Sequence, residues 1–165
     1  MLEQPWIRSI GHIIISSETK AIELAELIAK RLELPVDVRS ASGETDRSAT
    51  GYVERDRHEL LAGRFFAEPQ VSADGWERAV DAQRRIVESV IDVLYVSDCA
   101  AVDVAIVGHG AVGALLMCHL DGLAISRAHD QPGQGHHWSY DRSDDRLLHG
   151  WRRIDDLATT DPEQR

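Results

Sequence analysis

Cysteine is scarce in this chain: two are present among 165 residues, Cys99 and Cys118. They have no metal-ligand spacing and cannot form a disulfide framework. Cys118 lies in an apolar run and reads as a small core residue. Long apolar runs are also missing, and none approaches the roughly 18 residues that a membrane-spanning helix needs. The first ten residues lack a basic stretch followed by an apolar one, so they do not read as a signal peptide. A cytoplasmic location is the default expectation. Positive charge is in deficit: 18 Lys and Arg stand against 28 Asp and Glu, a formal net charge of −10. A face that grips nucleic acid needs a basic stripe, so neither nucleic acid nor membrane is expected as a partner. The balance still allows a local basic pocket for a small anion. No internal repeat, low-complexity segment or long linker breaks the chain.

What is present reads as alternating strands and helices. His12 to Ser16 carries Ile13, Ile14 and Ile15 in a row. An unbroken β-branched run suits a strand covered on both faces. Ser16 or Ser17 can cap the helix that follows. Its apolar stripe is Ala21, Leu24, Ala25, Ile28, Ala29 and Leu32. Pro35 stops it, and Val36 to Val38 is a second strand. Ser40 to Gly51 is a polar loop, Arg57 to Phe66 a short helix, and Pro69 to Gly75 another loop. A long helix is expected from about Trp76 to Leu94. Val102 to Val107 is a third strand, broken by Gly108-His109-Gly110, and Ala111 to Leu120 restarts as a helix. His137 to Asp141 and Arg146 to Trp151 look like a hairpin around Arg142 to Asp145. The alternation predicts an α/β three-layer sandwich with a mostly parallel sheet, one domain over residues 1–158. A polar tail, 159–165, is expected to fray.

Ligands in such sheets sit beyond the carboxyl ends of the strands. The loops starting at Ser16, Ser40 and Gly108 should meet there. His109 lies where a strand turns into a helix, flanked by glycines that let the backbone approach a ligand. The helix N-terminus at Gly110 offers free N–H groups to an oxyanion. The alternative is a turn histidine with no task. Lys20, one turn into the first helix, is either a cation for that anion or a solvated lysine. Glu44 is either a proton donor to a leaving oxygen or a solvated loop carboxylate. Arg47 is a further cation in the same loop.

These residues carry a resemblance to the histidine phosphatases, the phosphoglycerate-mutase-like superfamily. Val107-Gly108-His109-Gly110 resembles that family's second-histidine motif. Ser16-Ser17-Glu18-Thr19-Lys20-Ala21 through Ala25 is similar to the segment after its second strand, usually Ser-x-x-x-Arg-Ala-x-x-Thr-Ala. Gly75-Trp76-Glu77 through Arg84 resembles the family helix that carries an arginine, and Gly133 to Asp155 its closing hairpin. The resemblance implies a phosphate or phosphoester bound by Ser16, Lys20, Arg47, His109 and Gly110. It implies His109 and Glu44 as catalytic groups, and neither an organic cofactor nor a metal.

The family's nucleophilic Arg-His-Gly motif has no counterpart here. Gly11-His12 has the wrong order, and His12 begins a strand instead of ending one. Lys20 stands where the family has arginine and cannot make the forked contact. The chain is therefore expected to be an N-terminally truncated version of the fold, with impaired or absent phosphatase activity. Removing one strand should leave unpaired edges. They would pair with each other, be covered by Met1 to Ile10, or recruit a second copy into a homodimer. Rival readings are an active phosphomonoesterase, if the chain is longer or another residue substitutes, a metal-binding protein, and an interaction module using Trp138 and Trp151. His136 and His137 are adjacent, so on a strand they cannot share a metal.

Overall fold

The computed structural model describes residues 1–95 and 102–156. Cys99 and the tail 159–165 lie outside the described residues. A short 3-10 turn, Pro5–Ser9, leads into strand β1, Ile10–Ile15. Helix α1, Thr19–Leu32, and strand β2, Val36–Val38, follow. Then come α2, Arg55–Ala67, α3, Ala79–Tyr95, β3, Asp103–Val107, and α4, Gly110–Leu120. The hairpin β4, His136–Asp141, and β5, Arg146–Arg153, closes the described chain.

The sheet order is β2-β1-β3, and both pairings are parallel. This is the α/β sandwich that the alternation predicts, with the antiparallel hairpin as a separate two-stranded sheet. The isoleucine run shows why β1 sits in the middle. Ile14 points into the core built by α2, α3 and α4. Ile13 and Ile15 point to the other face, against Ala21, Ala25 and Ile28 of α1. All three are buried, as a strand covered on both faces requires. Each full burial is worth roughly 1.5–3 kcal/mol.

Gly11 marks a register shift between β1 and β3. A Cβ there would lie 2.6 Å from the Cβ of Val102, so glycine lets the two backbones close up. Cys118 is fully buried in α4, and that burial pushes its thiol pKa up.

Two expectations need correction. The N-cap of α1 is Glu18, not Ser16 or Ser17, although the Ser16 hydroxyl accepts the Glu18 N–H at 3.3 Å. The long helix starts at Ala79, not Trp76. The Trp76 indole donates to Thr50 Oγ1 at 2.8 Å and the Glu77 N–H to Asp46 O at 2.9 Å. These bonds tie residues 76–77 to the Ser40 loop instead of to a helical ladder. The edges of β1 and β3 pair with each other, the first of the three outcomes expected for them. β1 is paired on both sides, and the edges without a further strand partner among the described residues are on β2 and β3.

Candidate functional site

Because β1 and β3 are parallel and in register at Ile15 and Val107, they end side by side. The chain leaves both at one rim. Ser16 prolongs the ladder, its N–H donating to Val107 O at 3.4 Å. Its hydroxyl shares a hydrogen bond of 2.8 Å with His109 Nε2. His109 is the N-cap of α4, in extended conformation, and its side chain is only 10% exposed. The imidazole therefore sits at the positive end of a helix, against a buried serine. Gly110 is closely approached by Gln131: a Cβ there would be 2.5 Å from Gln131 Oε1.

A carboxylate also occupies this rim. Glu18 Oε1 lies 3.3 Å from His109 Nε2 and accepts the Glu44 N–H at 2.7 Å. Glu18 thus joins the β1 exit to the Ser40 loop. That loop is held from the other side by Arg85. Its guanidinium donates to Ala41 O at 2.6 Å, Gly43 O at 3.0 Å and Glu44 O at 3.3 Å. It also forms a two-point pair with Glu77, at 2.9 and 2.8 Å, the leading cause that raises its pKa. The preceding Arg84 instead pairs with Asp81 at 2.8 Å, facing away.

The structure brings Ser16, His109, Gly110 and the Glu44 backbone together. The Glu44 carboxylate is turned along its own loop: Oε1 accepts the Thr45 N–H at 2.9 Å and Oε2 is 3.6 Å from Arg47 Nη2. Arg47 stacks on Trp76, 4.9 Å from the ring centroid, and donates to His58 Nε2 at 2.9 Å. Lys20 is exposed on the first turn of α1, with no hydrogen bond or ion pair to Ser16, Glu44 or His109. His12 is the third residue of β1, 3.5 Å from Asp37 across the sheet, and three residues short of the strand's carboxyl end.

Sequence reasoning missed Glu18, Arg85 and Asp130. Glu18 stands inside the Ser16 to Ala25 segment and Arg85 one residue beyond the Gly75 to Arg84 segment, and only their direction in space reveals them. Asp130 has no sequence signal, being one carboxylate in a polar loop. Burial pushes its carboxyl pKa up, and the charges of Glu44 and Glu59 add to that push. The Gln131 N–H, donating at 2.8 Å, and Arg127 oppose it. A carboxyl so placed holds its proton to higher pH than an ordinary aspartate.

Among the described residues, no group of three or more His, Cys, Asp or Glu is placed to hold a metal. No helix among them is long and apolar enough to cross a membrane. A hollow of about 960 Å³ lies between Pro5–Ser9 and the C-terminus of α1. It contains no histidine and sits at the opposite end of β1 from the rim.

Residues 6–146 match the sequence profile of the histidine phosphatase superfamily, branch 1. No curated protein matches the chain. Among solved structures, a mycobacterial glucosyl-3-phosphoglycerate phosphatase in complex with inorganic phosphate is similar, with a TM-score of 0.69 at 19% identity. The match covers 89% of this chain and 79% of that one. A structure described as mycobacterial hydrolase 2 has a TM-score of 0.65 and 21% identity, over 88% of this chain and 69% of that one. YhfR of Bacillus stearothermophilus has a TM-score of 0.64 and 20% identity, over 90% and 74%. At such identities the likeness is one of fold.

Proposed function

The chain belongs to the histidine phosphatase superfamily, and from that premise we propose that it binds inorganic phosphate or a phosphomonoester at the His109 rim, with impaired or absent turnover. The observation that carries this reading is the 2.8 Å bond between Ser16 Oγ and His109 Nε2 at the N-terminus of α4. A buried hydroxyl, an imidazole and free helix N–H groups form an oxyanion site by ordinary electrostatics. A phosphoryl oxygen entering it takes the place of Glu18 Oε1 on His109. Arg85 positions the loop through its carbonyls, and Glu44 or Asp130 faces the leaving oxygen.

The reading of impaired turnover is supported by the lack of an attacking group beside His109 among the described residues. Covalent phosphoryl transfer needs a nucleophile in line with the phosphorus. The described residues put no second histidine beside His109, because His12 is engaged with Asp37. The test is hydrolysis of phenyl phosphate across pH 5 to 8, with His109→Ala as control. The expected result is little or no turnover. Phosphate or vanadate should raise the melting temperature of the wild type and not of His109→Ala. No anion effect on either protein would remove the reading.

A second reading, an active phosphomonoesterase, is favoured by one observation: the unpaired edge of β3. A strand added there, from a second copy or a longer chain, would end beside His109. If it carried a histidine, that residue could attack the phosphorus. Turnover lost in His109→Ala would support this reading over the first.

A further inference from the structure

Away from the rim, the segment that precedes β1 lies between a hollow and the closing hairpin. Leu2 to Pro5 form one wall of the hollow of about 960 Å³, and Arg31, Leu32 and Glu33 another. On that side the segment faces open space. Its ties run to the hairpin instead. The Gln4 amide donates to Ile154 O at 2.9 Å and to Asp156 O at 2.7 Å. The Trp6 ring lies 5.1 Å from the His137 ring, and His137 stands edge-on to His149 at 5.0 Å. Ile7, 1% exposed, anchors the end of the segment in the α1 core. Met1 and Trp6 are only half-buried against that core.

The contact between Trp6 and His137 suits a neutral imidazole. Trp6 Nε1 and His137 Nδ1 are both buried with no hydrogen-bond partner among the described residues. A charged imidazole carries a proton on each nitrogen, so Nδ1 would become a buried donor without an acceptor. The surrounding charges oppose that proton as well. β5 brings His149 and Arg152, and β4 itself brings His136. The turn Pro5–Ser9 has Arg8 as its one charged residue, and Glu3 before it is exposed and lines the hollow. Asp155 and Asp156, beyond β5, are engaged with Arg153 at 2.6 and 3.9 Å. Burial is the first cause that lowers the His137 pKa, the charges of His149, Arg152 and His136 add to it, and a hydrogen bond with the Arg152 backbone opposes them. A histidine whose pKa is lowered by docking favours the docked state above the ordinary value of about 6.5 and loses that contribution below it.

We infer that Met1 to Trp6 form a strap that leaves the hairpin when His137 takes up a proton, with Ile7 as the hinge. Release breaks the Gln4 bonds to the hairpin, uncovers the His137–His149 pair and opens the hollow beside the start of β1. Two neutral rings complete the contact and a charged one breaks it.

The test is fluorine NMR of the protein labelled with 5-fluorotryptophan, titrated from pH 7.5 to 5.5. Trp6→Phe assigns the Trp6 signal among the four tryptophans. Trp6 should be docked at pH 7.5, and its released population should rise about tenfold by pH 5.5. Trp76 and Trp151 should keep their folded signals. His137→Phe, which cannot take a proton, should hold Trp6 docked throughout. A Trp6 signal that stays docked in the wild type, as attraction of the cation by the indole face would produce, overturns the strap. So does release in His137→Phe. A Trp151 signal that leaves together with Trp6 also overturns it, because the whole hairpin would then be opening. If His137→Phe loses the folded Trp76 and Trp151 signals, His137→Gln takes its place, and the wild-type titration decides by itself.

Discussion

The oxygen nearest His109 after Ser16 Oγ belongs to Glu18, at 3.3 Å. A phosphate and this carboxylate cannot both occupy that position, and their charges repel. Glu18 is about half exposed, so solvent screens much of the effect. Glu18→Ala should therefore tighten phosphate binding by about fivefold, on the order of 1 kcal/mol for a screened charge. Titration with inorganic phosphate reads it directly, and weaker binding would mean that Glu18 helps to build the site. Arg85 is the opposite case. Arg85→Ala strips four acceptors, three carbonyls and Glu77, of a charged donor. The expected cost is roughly 1–3 kcal/mol, read by urea unfolding. His109, Ser16 and Gly110 were legible in the sequence because strand, glycine and helix follow one another there. Glu18 and Arg85 were not, because which way a side chain turns from a helix end depends on the loop it meets. Lys20 shows the converse: its spacing fits a phosphate ligand, yet it lies exposed and unconnected to the rim.

At the scale of elements, periodicity located β1, α1, β3 and α4 within a few residues. It failed at Trp76, where hydrogen bonds to Thr50 and Asp46 compete with the helix. It was also silent on Gly11, whose role appears only when β3 lies alongside. Gly11→Ala should cost about 1–3 kcal/mol, because its new methyl meets the branched side chain of Val102, whose Cβ cannot turn away. A thermal melt checks it. The hairpin holds a pH response. His137 and His149 stand ring against ring, 5.0 Å apart, with Trp6 5.1 Å from His137. Burial is the leading cause that lowers both pKa values, with the mutual repulsion of the pair adding to it at His137. The unfolded chain therefore takes up these protons first as the pH falls. Stability is full above the ordinary histidine pKa of about 6.5 and declines below it, until the folded pKa values are passed. Urea midpoints at pH 7.5 and 5.5 should differ less for His137→Phe than for the wild type. An unchanged difference would assign the acid sensitivity elsewhere.

The sheet ends on two edges, the three-residue β2 and the five-residue β3, and the longer one is the better template. β3 pairs with β1 on one side, and no described strand pairs with its other side. Its residues Val104, Ala105 and Ile106 are only half-buried, while Ile13 to Ile15 beside it are fully buried. At one end, Arg142 closes the approach by donating to Val102 O at 2.7 Å. A parallel strand with an open edge and apolar side chains is a template for another chain. We propose that a second copy covers it, giving a homodimer through the sheet edge. Amide exchange distinguishes the cases, because successive N–H groups along a strand point to opposite sides. A β3 paired only with β1 protects alternate amides over Asp103–Val107. A β3 paired on both sides protects them all. Slow exchange at every position, lost on dilution together with a halving of the mass in sedimentation, is the expected outcome. Alternating protection in a particle of one chain's mass, unchanged by concentration, would leave the edge bare and end the dimer proposal. In the dimer the added strand would run beside the strand that leads into His109, so the phosphate titration should then weaken at the concentrations where the dimer parts.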